Sequence, residues 1–319
     1  MSSVLKKIIF SLLSIAIVLT TIVVIYFITP INTKQNLKLP SSDTSEIIKY
    51  LKTKKYNLNF LDKLFLKIAT NPREGWIYIN SKKMPRYKFL KQVGSYANHY
   101  TPVTIIPGET SYFILQMLKK KLNYNIDKLV ISYKELAPYK EGNFLANTYN
   151  IPIYFKERDT IKFLIDNSFK EYKKISISYF NKFDKKEWKK IITVASIIEK
   201  EAANRTEMPK ISSVIFNRLN KKMKLQMDGT LNYGQYSHKK VTPQRIKNDL
   251  SRYNTYKYKG LPTIPICNVS KEAIISAINP VDTNYLYFMK NSKGTHNFSS
   301  KYKEHIKNIK LRKEYIKYQ

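Results

Sequence analysis

The sequence predicts an α+β protein carried on one membrane-spanning helix, and three observations carry that expectation. An uncharged apolar run of 22 residues fills positions 8–29. Short strand-like segments then interleave with short helical ones. Further on, positions 160–172 and 187–203 keep the 3.6-residue apolar period of amphipathic helices.

At about 1.5 Å rise per residue, the run 8–29 crosses a hydrocarbon layer of roughly 30 Å with room for tilt. It is longer than the apolar region of a cleavable signal peptide, and it runs through Tyr26, Phe27, Ile28 and Thr29 into Pro30 without a small-residue cleavage pattern. An uncleaved signal anchor is therefore expected. Lys6 and Lys7 precede the span and Lys34 and Lys38 follow it, so the positive-inside count barely discriminates. The brevity of segment 1–7 makes it the expected cytoplasmic tail, with everything from Pro30 onward outside the cytoplasm of a bacterial cell.

Composition excludes several function classes. The 319 residues carry 57 Lys+Arg against 23 Asp+Glu, a formal charge of +34. The lysines are dispersed, and arginines are too few and scattered to form a nucleic-acid footprint, so a solvated basic surface is expected and nucleic acid is not an expected partner. The lone Cys267 rules out a disulfide within the chain. With no CxxC or HExxH, and no metal-ligand spacing among His99, His238, His296 and His305, neither metal nor cofactor is expected.

After the anchor, 31–40 reads as a short polar tether. Asp43, with Glu46 three residues later, resembles a capping arrangement that opens a helix through about Leu51. Leu61, Leu64, Phe65 and Ile68 give 58–69 a helical apolar side. The β-rich run 75–79 follows a glycine and reads as a strand, and 87–95 returns to helix. Positions 103–106 are again strand-like and stop at Pro107-Gly108, while Ile114, Leu115, Leu118 and Leu122 make 110–122 helical. A buried strand is expected at 285–289. Beyond a Lys/Tyr-rich tail there is no low-complexity segment, and no internal repeat.

The helix 187–203 holds the most informative residues. With Ile191 as reference at about 100° per residue, Val194, Ala195, Ile198 and Ala202 fall within about 60° of it, and Glu199 and Glu201 land near +80° and −80°. Each glutamate borders the apolar stripe. A boundary carboxyl facing a cleft is where partial burial raises the pKa of an acid while substrate keeps access. Periodicity alone does not choose between the two.

The motifs around this helix do. ASIIEKEA (195–202), SSVIFNRL (212–219) and MKLQMDGTLNYG (223–234), followed by SRYNTY (251–256), GLP (260–262), NP (279–280), YLYF (285–288) and GTHNFS (294–299), resemble in content and order the YceG-like endolytic murein transglycosylases. EGWIYI (74–79) and IIPGET (105–110) look like that family's joints between a small LysM-like subdomain and the rest. The resemblance implies a LysM-like α+β subdomain within 30–100 and a larger mixed α+β catalytic domain over 101–319. It departs from the family pattern where Gly229 and Arg252 replace a usual Pro, in EGNFLANTY (141–149), and in TIPIC (263–267).

By this resemblance Glu201 is the catalytic acid, and the activity is cleavage of the MurNAc–GlcNAc bond within peptidoglycan strands, giving 1,6-anhydroMurNAc ends. The implied partners are glycan strands, the membrane through the anchor, and cell-wall synthesis enzymes. A water-using peptidoglycan hydrolase and a non-catalytic peptidoglycan-binding scaffold are the rival readings. Asp228 is expected to position rather than act as base. Gln226, Thr230, Tyr233, Asn254 and Tyr256 offer the amides, hydroxyls and rings that hold N-acetyl sugars. His296 is a candidate substrate contact, Asn217 one that equally suits a support for the catalytic helix, and Trp76 reads as core of the small subdomain.

Overall fold

The computed structural model describes residues 3–34, 36–79, 81–95 and 100–317, so His99 lies outside the described residues. The chain divides into two compact units, Met1–His99 and Tyr100–Gln319. Both mix helices with two-stranded antiparallel sheets, which makes the protein α+β.

The first unit runs α1 (Ser3–Ile28), β1 (Pro30–Asn32), β2 (Asn36–Leu39), α2 (Thr44–Thr53), α3 (Phe60–Ala69), β3 (Gly75–Tyr78), β4 (Lys83–Pro85) and α4 (Arg86–Gly94). The segment Val4–Ile28 of α1 is long and apolar enough to cross a membrane and is unburied within the chain. The expected tether is instead built structure: β1 pairs with β4 and β2 with β3, both antiparallel. Leu37 and Leu39, 2% and 0% exposed, alternate onto the core. Only two apolar residues carry this strand and a lysine separates them, so its composition reads as linker while its period is that of a sheet.

Asp43 caps α2 as expected, accepting the Ser45 and Glu46 backbone N–H groups at 2.8 and 2.9 Å. In α3 the cap is reciprocal. Asn59 accepts from Leu61 N–H, and Asp62 accepts from the Asn59 N–H at 2.7 Å. The same Asp62 carboxylate takes the Tyr26 hydroxyl of α1 at 2.6 Å and pairs with Arg86 of α4 at 3.1 Å. Arg86 also donates to the Tyr26 oxygen and to Asn57 C=O, and lies 4.3 Å from the Tyr26 ring centre. Phe27 packs on Phe65 at 5.2 Å and against the core formed by Ile47, Leu51, Leu66, Phe89 and Leu90. The last turn of α1 is thereby bolted to the unit that follows it.

The second unit contains β5 (Tyr100–Thr104), α5 (Ser111–Leu122), α6 (Ile126–Leu136), β6 (Thr148–Pro152), α7 (Glu157–Phe180), α8 (Lys185–Glu201), α9 (Met208–Asn220), α10 (Pro243–Asn248), α11 (Lys271–Ile278), β7 (Tyr287–Lys290), β8 (His296–Ser299) and α12 (Tyr302–Lys317). β5 pairs with β6 and β7 with β8. The strand expected at 103–106 starts three residues earlier, and Pro102 sits within it opposite Asn150, which a two-stranded ladder made only of edges tolerates. The Lys/Tyr-rich tail is helix α12.

Helix α8 is the centre of this unit, packed by α9 and α11. Asp184 caps it by accepting the Glu187 N–H at 2.8 Å. From Ile192 to Ile198 every side chain is buried, so the apolar stripe is a full collar. Ile191, its expected centre, is only half-buried and lines an apolar groove with Phe180, Trp188 and Phe216.

Asp62 dictates a stability test. Replacing it with Ala leaves the Arg86 guanidinium buried without its counter-charge and removes one half of the α3 capping box, so Asp62→Ala should cost about 3–5 kcal/mol. Denaturant unfolding of the full chain in detergent, followed through the Trp76 environment, measures it; a loss below about 1 kcal/mol would show that the pair behaves as a surface contact.

Candidate active site

The two glutamates of α8 meet different fates at its C-terminal end. Glu199 turns toward α11, where its Oε2 accepts the Ser270 N–H at 2.8 Å and the Ser270 hydroxyl at 2.6 Å. Ser270 is the N-cap of α11 and accepts from Ala273 N–H. Glu199 thus ties one helix end to the next helix start. Glu201, the last residue of α8, turns the other way into a cleft of about 350 Å³, lined also by Arg218, Gln226, Asp228, Tyr256, Tyr287, Lys290, His296 and His305. Its Oε1 accepts the Gly229 N–H at 2.7 Å.

Burial raises the Glu201 carboxyl to about 7, with the nearby Asp228 adding to the rise and the Gly229 N–H and Arg218 opposing it. The residue keeps partial access to solvent through the cleft. It is a carboxyl that holds its proton near neutrality and still opens onto the cleft.

The loop from Leu225 to Leu231 is braced from below. Met227 N–H donates to the Thr255 hydroxyl at 3.1 Å, and Thr230 Oγ1 bonds Met227 C=O at 2.7 Å and Thr255 Oγ1 at 3.0 Å. Gln226 adopts a left-handed backbone, φ 50°, while its N–H reaches Thr255 C=O, and its side chain is exposed at the cleft. Asp228 accepts the Tyr256 hydroxyl at 2.7 Å, and burial together with Asp228 pushes that phenol far above its ordinary value. Gly229 is required sterically: a Cβ there would stand 2.6 Å from Lys200 Cβ and 2.8 Å from Glu201 Oε1.

Five of the expected site residues, Gln226, Asp228, Tyr256, His296 and Glu201 itself, share the cleft. The other four are placed elsewhere. Thr230 and Asn254 are 0% exposed, and their polar atoms are committed within the fold. Asn254 Nδ2 donates to Ile246 and Asp249 C=O, and its Oδ1 accepts Tyr256 N–H. Tyr233 stacks on Tyr253 at 4.2 Å and donates to Asp249, lining a separate shallow depression with Tyr236 and Arg245. Asn217 donates to Thr283 and Tyr285 C=O at 2.7 and 3.0 Å, pinning α9 to the approach of β7. None of these four lines the cleft that Glu201 enters.

Residues outside the expected set of substrate contacts complete the site. Glu207 grips His296 twice, accepting its backbone N–H at 2.7 Å and bonding Nδ1 at 2.8 Å. Burial pushes the Glu207 carboxyl up, but the bonds and charge of His296 outweigh it and hold the group below its usual range. Arg218 donates to Leu286 C=O at 2.6 Å and Leu225 C=O at 2.5 Å, joining the loop to β7, and lies over Tyr287. His305, from α12, stacks on Tyr287 with ring centres 5.0 Å apart. Glu207 and His296 are 89 positions apart and on different elements, so no local period links them.

With the geometry in place, comparison with known proteins adds the family. The model of the YceG-like family matches residues 39–311. A protein of Bacillus subtilis named endolytic murein transglycosylase is 36% identical over 213 residues, 65% of this chain and 57% of its own length. One of the same name from Streptococcus pneumoniae is 30% identical over 177 residues, 53% of this chain and 31% of its own. The chain spans about half the length, or less, of the curated relatives it matches. A crystal structure of a YceG-like protein from Listeria monocytogenes shares the fold, with a TM-score of 0.56 over 87% of this chain and 98% of that one at 24% identity. The cleft, its loop and Glu201 all lie inside the matched region, and the chain belongs to the YceG-like family.

Proposed function

We propose that the chain is a membrane-anchored endolytic transglycosylase that cuts the MurNAc–GlcNAc bond within peptidoglycan strands and leaves 1,6-anhydroMurNAc ends. The observation that carries this reading is Glu201: a carboxyl raised to about 7 by burial and opening onto a cleft. The names of the Bacillus and Streptococcus relatives support it. Breaking a glycosidic bond needs a proton on the leaving oxygen, and a carboxyl with a pKa near ambient pH delivers one efficiently. Once the bond has broken, Glu201 is a carboxylate beside the sugar's own 6-hydroxyl. It removes that proton as the oxygen closes on the anomeric carbon, and the acid is regenerated.

Gln226, Tyr256 and His296 supply an amide, a hydroxyl and a ring around that carboxyl. Because Nδ1 of His296 is held by Glu207, Nε2 is the ring nitrogen left to meet substrate. Residues 30–100 act in this reading as a LysM-like unit that places glycan, 101–319 as the catalytic domain, and 1–7 as a cytoplasmic tail, with α1 in the bacterial inner membrane and the remainder outside the cytoplasm. The water-using hydrolase has one observation in its favour: Asp228 lines the same cleft, and hydrolases employ a second carboxylate. Its Oδ1 is engaged by Tyr256, which favours a positioning role.

Glu201→Gln retains shape but not the titratable proton, so folding should survive and the rate on isolated glycan should drop by about 10² to 10⁴. Because the protonated form is the working acid, wild-type kcat/KM should decline as pH rises through about 7. Full activity of the variant would remove Glu201 from the mechanism. Digestion in heavy-oxygen water separates the two chemistries: no label in new ends fits the transglycosylase, and label at the reducing carbon selects the hydrolase. Glu207→Ala frees the His296 ring, and such a misplacement costs up to about 10² in kcat; kcat and KM both unchanged would show that the dyad serves only the fold.

A further inference from the structure

The first unit carries an apolar surface that its own core does not use. Along α3 the side chains of Phe60, Leu64 and Ile68 recur every fourth residue and are 72%, 39% and 75% exposed. At about 100° per residue they lie on the side of the helix opposite Asp62 and Leu66, the two residues that α3 buries. α3 therefore turns one face, with Asp62 and Leu66, inward and leaves a second, apolar face outward. One is explained by the core and the other is not.

The position of α3 along α1 says what covers the second face. Lys6 and Lys7 stand just before the uncharged run that starts at Ile8. The rise from Ile8 to Ile28 is about 30 Å, the thickness of a hydrocarbon layer. With the lysines at one boundary, Tyr26, Phe27 and Ile28 arrive at the other, where aromatic residues of spanning helices concentrate. These are the α1 residues that grip α3: the Tyr26 hydroxyl bonds Asp62 at 2.6 Å and Phe27 packs on Phe65 at 5.2 Å. α3 is thus held level with the membrane boundary. Its one acidic residue, Asp62, is buried and paired with Arg86, so the charges it shows to its surroundings are those of Lys63 and Lys67, beside the apolar stripe. An apolar stripe bordered along one edge by basic residues at interface height suits a helix lying in the headgroup region of an anionic bilayer.

We propose that the outward face of α3, Phe60, Leu64 and Ile68, is seated in the lipid interface of the membrane that α1 spans. The inference rests on the reading of α1 as the anchor. It gives the first unit two attachments to the bilayer in place of one, fixing its tilt as well as its height.

Site-directed spin labels test it in the full chain reconstituted into vesicles of phosphatidylglycerol and phosphatidylcholine. Single cysteines replace Phe60, Leu64, Ile68 and, within α1, Ile17; the native Cys267 is buried and stays unlabelled under native conditions. Collision with oxygen reports lipid, and collision with a water-soluble nickel chelate reports solvent. Oxygen should dominate at all four positions, with labels 60, 64 and 68 shallower than label 17. Chelate dominating at 60, 64 and 68 while label 17 remains in lipid would overturn the docking and leave the anchor standing. Chelate dominating at 17 too would overturn both. Shielding of the α3 labels from both reagents, or dipolar broadening between labels at 64, would assign the stripe to a protein partner or a second copy and reject the lipid interface.

Discussion

A carboxyl taken out of water must be given N–H or O–H donors or keep its proton, and the chain distributes donors very unequally. Asp62 receives the Asn59 N–H, the Tyr26 hydroxyl and the Arg86 guanidinium. Glu199 receives both polar hydrogens of Ser270, which oppose but do not cancel the rise that burial imposes on it, and Glu207 is engaged twice by His296. Glu141 collects the Ser111 N–H and hydroxyl, the Gly142 N–H and the Asn268 amide. Among the described residues Glu201 has the Gly229 N–H alone. Glu141 shows that burial by itself is not the discriminator: it too is raised to about 7, yet it sits enclosed where it holds α5 to the loop after α6. Glu201 combines the poor donor supply with a cleft.

The same requirement shapes the first unit. Asp62 is the meeting point of α1, the cap of α3 and the start of α4, so a polar network does there what a larger core does elsewhere. Its geometry removes freedom that a flexible linker would have left between the anchor and the fold. The strands β1 and β2 continue the effect, since the chain leaving α1 enters a sheet at Pro30 within two residues of the helix end. The apolar packing of Phe27 on Phe65 and the hydrogen bond of Tyr26 share one helical turn, so hydrophobic and polar terms act on the same joint.

Much of this was legible in the sequence because it is local. The cap at Asp43, the helices around Leu61 and Ile114, and the apolar run of α1 are written in neighbouring residues. Helical period alone does not separate Glu199 from Glu201, because a single helix places both on the border of one stripe; only the resemblance of the surrounding motifs pointed to Glu201. The partner that engages Glu199 is Ser270, 71 positions away. Thr230 and Asn254 read as sugar contacts because an amide or hydroxyl looks the same whether it faces a ligand or Met227 C=O. Glu207 was invisible for the converse reason, its partner arriving from β8. Leu37 and Leu39 were misread since two apolar residues among lysines make a strand only when β3 is there to pair with them.

The loop that faces Glu201 shows how much one substitution asks of its surroundings. The resemblance to the YceG-like family implies a Pro where this chain has Gly229, and proline has no N–H to give. Here that N–H is the donor opposing the desolvation of Glu201, so the glycine tempers an acid that burial alone would drive higher. The close approach has a steric condition as well, because a Cβ would meet both Lys200 and Glu201 within 3 Å. A proline could occupy this position only if the loop stood further from α8, and the carboxyl would then lose the donor but regain room. Distance and hydrogen bond therefore change together at one residue, and the Thr255 bonds to Met227 and Thr230 hold the loop at the spacing glycine permits.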